Sequence, residues 1–363
     1  HRSTGAPLPR PATSELRSQC IDPRRPCRYP SPDMNRRIET ATRHRIPVAG
    51  GHIICYEMPA GTGESAGPPG AGDARPASGT TDSPQPPRPL PLLFIPGWGG
   101  VVEGFEEVIA AVDEDIELYY LETREKGSSE VSLDSGFSME QCAADVRDAV
   151  RTLGLREGGY VLMGSSFGAA VALQALDRKP NGSVPPVPPA PPAPAAGGGD
   201  TGGRLPAATV LFEPMAELWL PRLVVKVLGA LMPVGLLTLL RPALKRLVLA
   251  GMREEVQRSR AELVIDSADL RKWRRAALRL ADWHIRDIAP RVNEPVAVIQ
   301  ASGDRFHDES VFPEIAAALP AGQLYRLPVP ESKREQLMGR AASVYAHGRT
   351  AADLTPAEPA PPG

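Results

Sequence analysis

The chain has 363 residues, 42% of them apolar, enough to bury a real core in one large domain or two small ones. Lys and Arg number 41 against 43 Asp and Glu, so the formal net charge of -2 asks for neither a nucleic acid nor a polybasic membrane contact. The four cysteines, Cys20, Cys27, Cys55 and Cys142, have neither zinc-ligand nor redox-pair spacing and read as free thiols of a reducing compartment.

Residues 1–33 are rich in Pro, Arg and Ser, without apolar periodicity or the hydrophobic stretch of an export signal. They read as a disordered tail on a cytoplasmic protein, and Met34 stands just before the first patterned segment. The domain is expected over 34–350. It opens with a hairpin: Ile46 and Val48, an Ala49-Gly50-Gly51 turn, then "HIICYEM". Residues 60–91 are dominated by Pro, Gly and Ser, have nothing to bury, and read as a solvated insertion. "LLFIPGWGG" is a short apolar run ending in a Gly-rich turn, the pattern of a buried parallel strand that leads into the helix "VVEGFEEVIAAV". "IELYYLE" is a second such strand. From Met139 to Leu153 the apolar positions recur at helical spacing, with Ser138 as N-cap and Gly154 as the stop. The strand "YVLMG" and the helix "FGAAVALQAL" follow, then a second Pro/Gly insertion over 180–206 and the strand "ATVLFEP". Residues 215–292 are helical in pattern throughout and read as a cap. Its first half is very apolar, but Arg222, Lys226, Pro233 and Arg241 leave no uncharged run long enough to span a bilayer. "PVAVIQASGD", the helix "ESVFPEIAAAL" and the strand "GQLYRLPV" complete the domain, the pattern fades after Pro330, and 351–363 read as a second disordered tail. Strands alternating with helices predict an α/β fold, a mostly parallel doubly wound sheet with helices on both faces.

Between that fifth strand and its helix lies "GSSFG", a G-x-S-x-G pattern centred on Ser166. A nucleophilic serine needs this context: the tight strand-to-helix turn pushes Oγ outward, the glycines make room for backbone, and the helix N-terminus points free N–H groups at the reacting oxygen. The Gly-rich "IPGWGG" loop offers the Trp98 N–H as a second donor beside that of Phe167, which together make an oxyanion hole. An ordinary Gly-Ser turn and a packed tryptophan are the plainer alternatives.

The order strand-"PGWGG", strand-"GSSFG"-helix, helical insertion, strand-"ASGD" resembles the capped α/β-hydrolase superfamily over about residues 44–330. The resemblance implies an eight-stranded sheet, a cap over the serine, and a catalytic acid at the tip of the strand after the cap, matched by Asp304, with Glu213 in "VLFEP" as the weaker alternative. It also implies a histidine on the loop after the last strand. That loop has none before His347, and Gln336 or its neighbours stand where one is expected. Serine requires a base to take its proton, and glutamine cannot serve. His347 could serve if the tail folds back, and His307, three residues past Asp304, could serve from the cleft rim. His284 sits at helical spacing from Asp287 at the end of the cap, and His44 and His52 belong to the far edge of the sheet.

Two functions follow. One is a serine hydrolase acting on a small, apolar ester or acyl substrate. The other is a hydrolase-like binding domain without a base. No phosphate loop, dinucleotide fingerprint or metal cluster is present in the sequence, so no cofactor or metal is expected, and neither nucleic acid nor a transmembrane span.

Overall fold

The computed structural model of the chain describes residues 32–61, 87–177, 204–218, 221–252, 255–301 and 310–354. Most of the two expected insertions, and all of the N-terminal tail before residue 32, therefore lie outside the described residues. A helix not anticipated from the sequence, α1 (Pro32–Glu39), comes first. Arg37 ties it down by donating to the carbonyls of Val112 (3.2 Å) and Ile116 (2.7 Å). With only Met34 and Ile38 as large apolar residues, it has too little periodicity to stand out.

Eight strands form one sheet: β1 (Thr42–Val48), β2 (Gly51–Met58), β3 (Leu92–Ile95), β4 (Leu118–Glu122), β5 (Val161–Ser165), β6 (Ala208–Phe212), β7 (Val296–Ala301) and β8 (Gly322–Leu327). Their order is β1-β2-β4-β3-β5-β6-β7-β8. β2 is antiparallel to both its neighbours, and all pairings from β4 to β8 are parallel. This is the mostly parallel sheet expected, and the expected hairpin opens it, with Val48 opposite Gly51 and Gly50 at φ 86°, a conformation glycine adopts without a steric penalty. β3, β4, β5 and β7 are buried at every position, because helices cover both faces.

Alternate side chains feed two apolar layers. On one face α3 (Met139–Thr152), α4 (Phe167–Leu176) and α9 (Val311–Ala318) pack on Leu93, Leu162 and Val298. On the other, α2 (Glu106–Ala110) and α10 (Arg334–Ala346) pack on Phe94, Met163 and Phe212. Ser138 caps α3 in a reciprocal box with Gln141, a device worth about 1 kcal/mol.

Where the sequence pattern fades, the structure does not. α10 is buried along most of its length, and its small residues let it lie close: a Cβ on Gly339 would come within 2.3 Å of the Val108 carbonyl oxygen. Ala351 and Leu354 are also buried, so packing continues past the expected start of the C-terminal tail.

Between β6 and β7 run α5 (Arg222–Leu231), α6 (Val234–Ala250), α7 (Glu255–Ser267) and α8 (Leu270–Leu280). α7 and α8 pack on the loops that follow β3 and β4. A Cβ on Gly99 would come within 2.4 Å of the Trp273 ring and 2.9 Å of Val264, and one on Gly127 within 2.1 Å of the Ser267 carbonyl. Among the described residues no helix is long and apolar enough to cross a membrane.

Candidate active site

β5 runs fully buried to Ser165, and the chain then turns at Ser166 with φ 51° and ψ −115° before α4 begins. A positive φ in a residue with a side chain costs of order 1–3 kcal/mol and persists only where the surroundings impose it. Here they do. The Ser166 N–H donates to the Phe212 carbonyl (3.0 Å), and its own carbonyl accepts from Met215 (3.1 Å) and Ala169 (3.1 Å). The flanking glycines allow the close approach: a Cβ on Gly164 would sit 2.4 Å from the Gly168 carbonyl oxygen, and one on Gly168 2.1 Å from that of Ile95.

The loop after β3 lies against this turn, since a Cβ on Gly97 would be 3.6 Å from Ser166 Cβ. Phe167 opens α4, so its N–H has no preceding helical carbonyl to bond. The Trp98 ring meets the Phe167 ring edge-on at 5.1 Å and the Trp273 ring at 5.8 Å, so α8 supplies one wall of an aromatic cluster beside the serine. Arg260 of α7 reaches the next part of the loop, donating to the Gly104 carbonyl (2.9 Å) with its guanidinium over the Phe105 ring.

Sequence reasoning missed the segment after β4. Glu122, Thr123, Arg124, Glu125, Lys126 and Ser129 are all buried. Lys126 Nζ donates to the Gly97 carbonyl (3.2 Å), Thr123 Oγ1 (2.9 Å) and Glu125 Oε1 (3.0 Å), which fixes the loop next to Ser166. Arg124 grips Asp145 of α3 through two bonds (2.7 and 2.5 Å) and donates to the Gly136 carbonyl (2.7 Å). Lys272 of α8 donates to the carbonyls of Ser129 and Lys126, and burial pulls its ammonium below its ordinary value. Burial likewise pushes the Glu122 carboxyl up, opposed by Ser128, Lys126 and the Val102 N–H. The signal available was an apolar strand running straight into charges of alternating sign, which can neutralise one another out of water.

Two of the predicted site residues, Asp304 and His307, lie outside the described residues. Glu213 stands at the tip of β6, fully buried, at φ 46°. Its carboxylate accepts from the Ala301 N–H (3.1 Å) and from the Arg334 guanidinium. Arg334 begins α10, on the stretch where the resemblance puts the base, and an arginine does not give up its proton. Gln336, next to it, accepts from Lys333 (3.1 Å).

The expectation that His347 could fold back to Ser166 is corrected here. α10 starts beside Glu213 at the serine edge and runs 13 residues, about 20 Å at 1.5 Å per residue, toward the opposite edge. There the Ala346 carbonyl accepts from Leu90, ahead of β3 (2.8 Å), and the His347 ring lies 3.1 Å from Asp113 and 3.6 Å from Asp115, both ahead of β4. His284 pairs with Glu217 (3.0 Å) rather than with the Asp287 side chain, and His44 with Glu57 (2.5 Å) on the outer strands. None of these three histidines is brought to the serine.

The chain matches the sequence model of a family described as "Alpha/beta hydrolase family" over residues 92–335. No curated protein matches its sequence. Among solved structures it is similar to a hydrolase from Pseudomonas aeruginosa PA01, at 16% identity and a TM-score of 0.56 over 85% of this chain and 98% of that one. An esterase from Exiguobacterium antarcticum aligns at 15% identity and a TM-score of 0.58, over 85% and 99% of the two chains. An epoxide hydrolase aligns at 15% identity and a TM-score of 0.54, over 85% and 100%. At such identities the likeness is one of fold, and one fold hosts different reactions.

Proposed function

The chain belongs to the alpha/beta hydrolase family, and from that premise we propose that it is a serine hydrolase acting on an apolar ester or acyl substrate. The observation that carries this reading is the backbone of Ser166, held at φ 51° at the end of a buried strand. A serine that only turned the chain would sit there at a cost that glycine avoids. Ser166 Oγ attacks the carbonyl carbon, while the N–H groups of Trp98 and Phe167 stabilise the oxyanion. Asp304 orients the base, and His307 takes the serine proton and returns it to the leaving alcohol. Water then releases the acyl group by the same path in reverse. His44, His284 and His347 pair with acids away from the serine, and His52 stands on the far edge strands, which favours His307 as the base. The rings of Trp98, Phe167 and Trp273 favour an apolar acyl chain, with the helices between β6 and β7 as the cap above it.

The Glu213–Arg334 pair favours a second reading. An acid at a strand tip and a cation on the segment after β8 stand as an acid and its histidine would, but with a group that cannot accept a proton. In that reading the domain binds an apolar ligand and does no chemistry.

A fluorophosphonate probe separates the two, because it reacts only with an activated hydroxyl. The wild type is expected to label at Ser166 and Ser166→Ala to stay unlabelled. His307→Ala should lower ester turnover by about two to four powers of ten, the scale of general-base catalysis, and His347→Ala should leave it unchanged. Folded wild-type protein that neither labels nor hydrolyses short-chain or long-chain esters selects the binding domain.

A further inference from the structure

Every large hydrophobic side chain that stands exposed among the described residues belongs to the insertion between β6 and β7, and all but Leu263 to α5 and α6. α6 is arranged inside out. Its covered stripe, at three- and four-residue spacing, is Val234, Leu237, Arg241, Lys245 and Leu249. Arg241 on that stripe donates to the carbonyls of Asp266 (2.8 Å) and Ala268 (3.1 Å), and Lys245 to the Asp266 carboxylate (2.6 Å). The outward side carries Leu236, Leu239, Leu240, Leu244 and Leu247, with Leu239 76% and Leu247 72% exposed. α5 does the same with Leu223 and Leu231. A helix folded only against its own protein would turn its leucines in and its cations out.

Charge says what the face meets. From residue 219 to 252 there are five Lys and Arg and no Asp or Glu. Over 215–292 the count is fifteen against eight, although the whole chain is at -2. Asp282 and Asp266 pair with Arg222, Lys226 and Lys245, but Arg246 stays exposed. Between α6 and α7 a cleft of about 330 Å³ is lined by Lys245, Arg246 and Arg258 against the single acid Glu262. Whole-chain charge therefore misleads on this point, because the balance is acidic elsewhere and basic here.

We propose that α5 and α6 dock this protein onto an anionic lipid bilayer. The leucines enter the interface between headgroups and acyl chains, and the exposed Arg246 and Arg258 face the lipid phosphates and carboxylates. A second copy of the chain is the poorer partner, because a two-fold pairing would set one basic face against another. The helices lie in the interface plane, since none among the described residues is long and apolar enough to cross.

The test uses the full chain as Ser166→Ala, so that the outcome does not depend on hydrolysis. Flotation is measured with vesicles of phosphatidylcholine alone and of phosphatidylcholine with phosphatidylserine. The protein is expected to float with the second and not the first, and to be released by salt. Leu239→Asp with Leu247→Asp should weaken partitioning at least about tenfold at an unchanged melting temperature, and Arg246→Glu with Arg258→Glu should remove the preference for phosphatidylserine. Failure of the folded protein to float with either vesicle overturns the proposal. So does equal flotation with both, or flotation untouched by the leucine variant. A stable dimer in light scattering that the leucine variant dissolves, with no vesicle binding, assigns the face to a second copy instead.

Discussion

Leu93, Leu162 and Val298 are out of reach of water between two helical layers, while the leucines of α5 and α6 face solvent. The sheet is held by apolar burial on both faces, at roughly 25 cal/mol for each Å² removed from water. Among the described residues of α5 to α8, only α8 joins that core, where Ala276 and Leu280 are buried, and the insertion is otherwise tied down by charged groups that reach backbone. Arg260 donates to the Gly104 carbonyl and pairs with Glu335 (2.6 Å). Lys272 reaches the carbonyls after β4, and Arg274 donates to the carbonyls of Gly229 and Ala230. Trp273 packs on Trp98 beside the site. Hydrogen bonds to charged groups are worth about 1.5–3 kcal/mol each, so with α8 seated in the core they attach the four helices without consuming every leucine. Attachment through one helix and a few polar points leaves the apolar face of α5 and α6 free for something else.

That contrast predicts a gradient of effects. Arg334→Met should be the most damaging, at about 3–5 kcal/mol in chemical denaturation, because it leaves the Glu213 carboxylate buried without its cation. Adding Glu213→Gln should recover a large part of the loss. Gly168→Ala comes next: its methyl group would meet the Ile95 carbonyl at 2.1 Å, for about 3 kcal/mol and a melting temperature roughly 10 °C lower. Lys272→Met, which removes one polar attachment, should cost about 1–3 kcal/mol and raise protease cleavage within α5 to α8 before the sheet opens. Leu239→Ser should change stability by less than about 0.5 kcal/mol in thermal denaturation. A loss of 2 kcal/mol or more, on the scale of a buried side chain, would show that α6 is covered and would erase the contrast.

All eight strands, the order of the elements and the turn at Ser166 are legible in the sequence for one reason. A strand buried on both faces must be a short unbroken apolar run, and "LLFI", "YVLMG" and "PVAVIQ" stand out against the glycines and prolines that end them. α10 does not stand out, because it packs through Ala341, Ala342, Gly339 and Ser343, residues whose burial depends on closeness rather than hydropathy. The charges after β4 look solvated because their partners, Asp145 and the Gly97 and Gly136 carbonyls, are distant in sequence. The sequence marks Glu213 as an acid at a strand tip but not as the partner of Arg334, a contact across 121 residues that no local pattern announces. The direction of α6 was hidden by its composition, since a leucine-rich helix reads the same whichever side faces in.

The position of β5 bears on how the protein comes into being. Its neighbours are β3, drawn from about seventy residues earlier, and β6, from about forty-five later, and contacts of such long range form slowly. Ser166 is held by the Phe212 carbonyl from one side, while Gly168 is fitted beneath the Ile95 carbonyl from the other. Until both strands have closed on β5, nothing enforces a positive φ at this residue, and the backbone relaxes to an ordinary conformation. Under the proposed function, labelling by a fluorophosphonate is therefore expected only from the finished sheet, gained in the last phase of refolding and lost in the first step of unfolding. A nascent or damaged chain lacks the strained turn at Ser166, so whatever that turn does waits on complete assembly of the sheet.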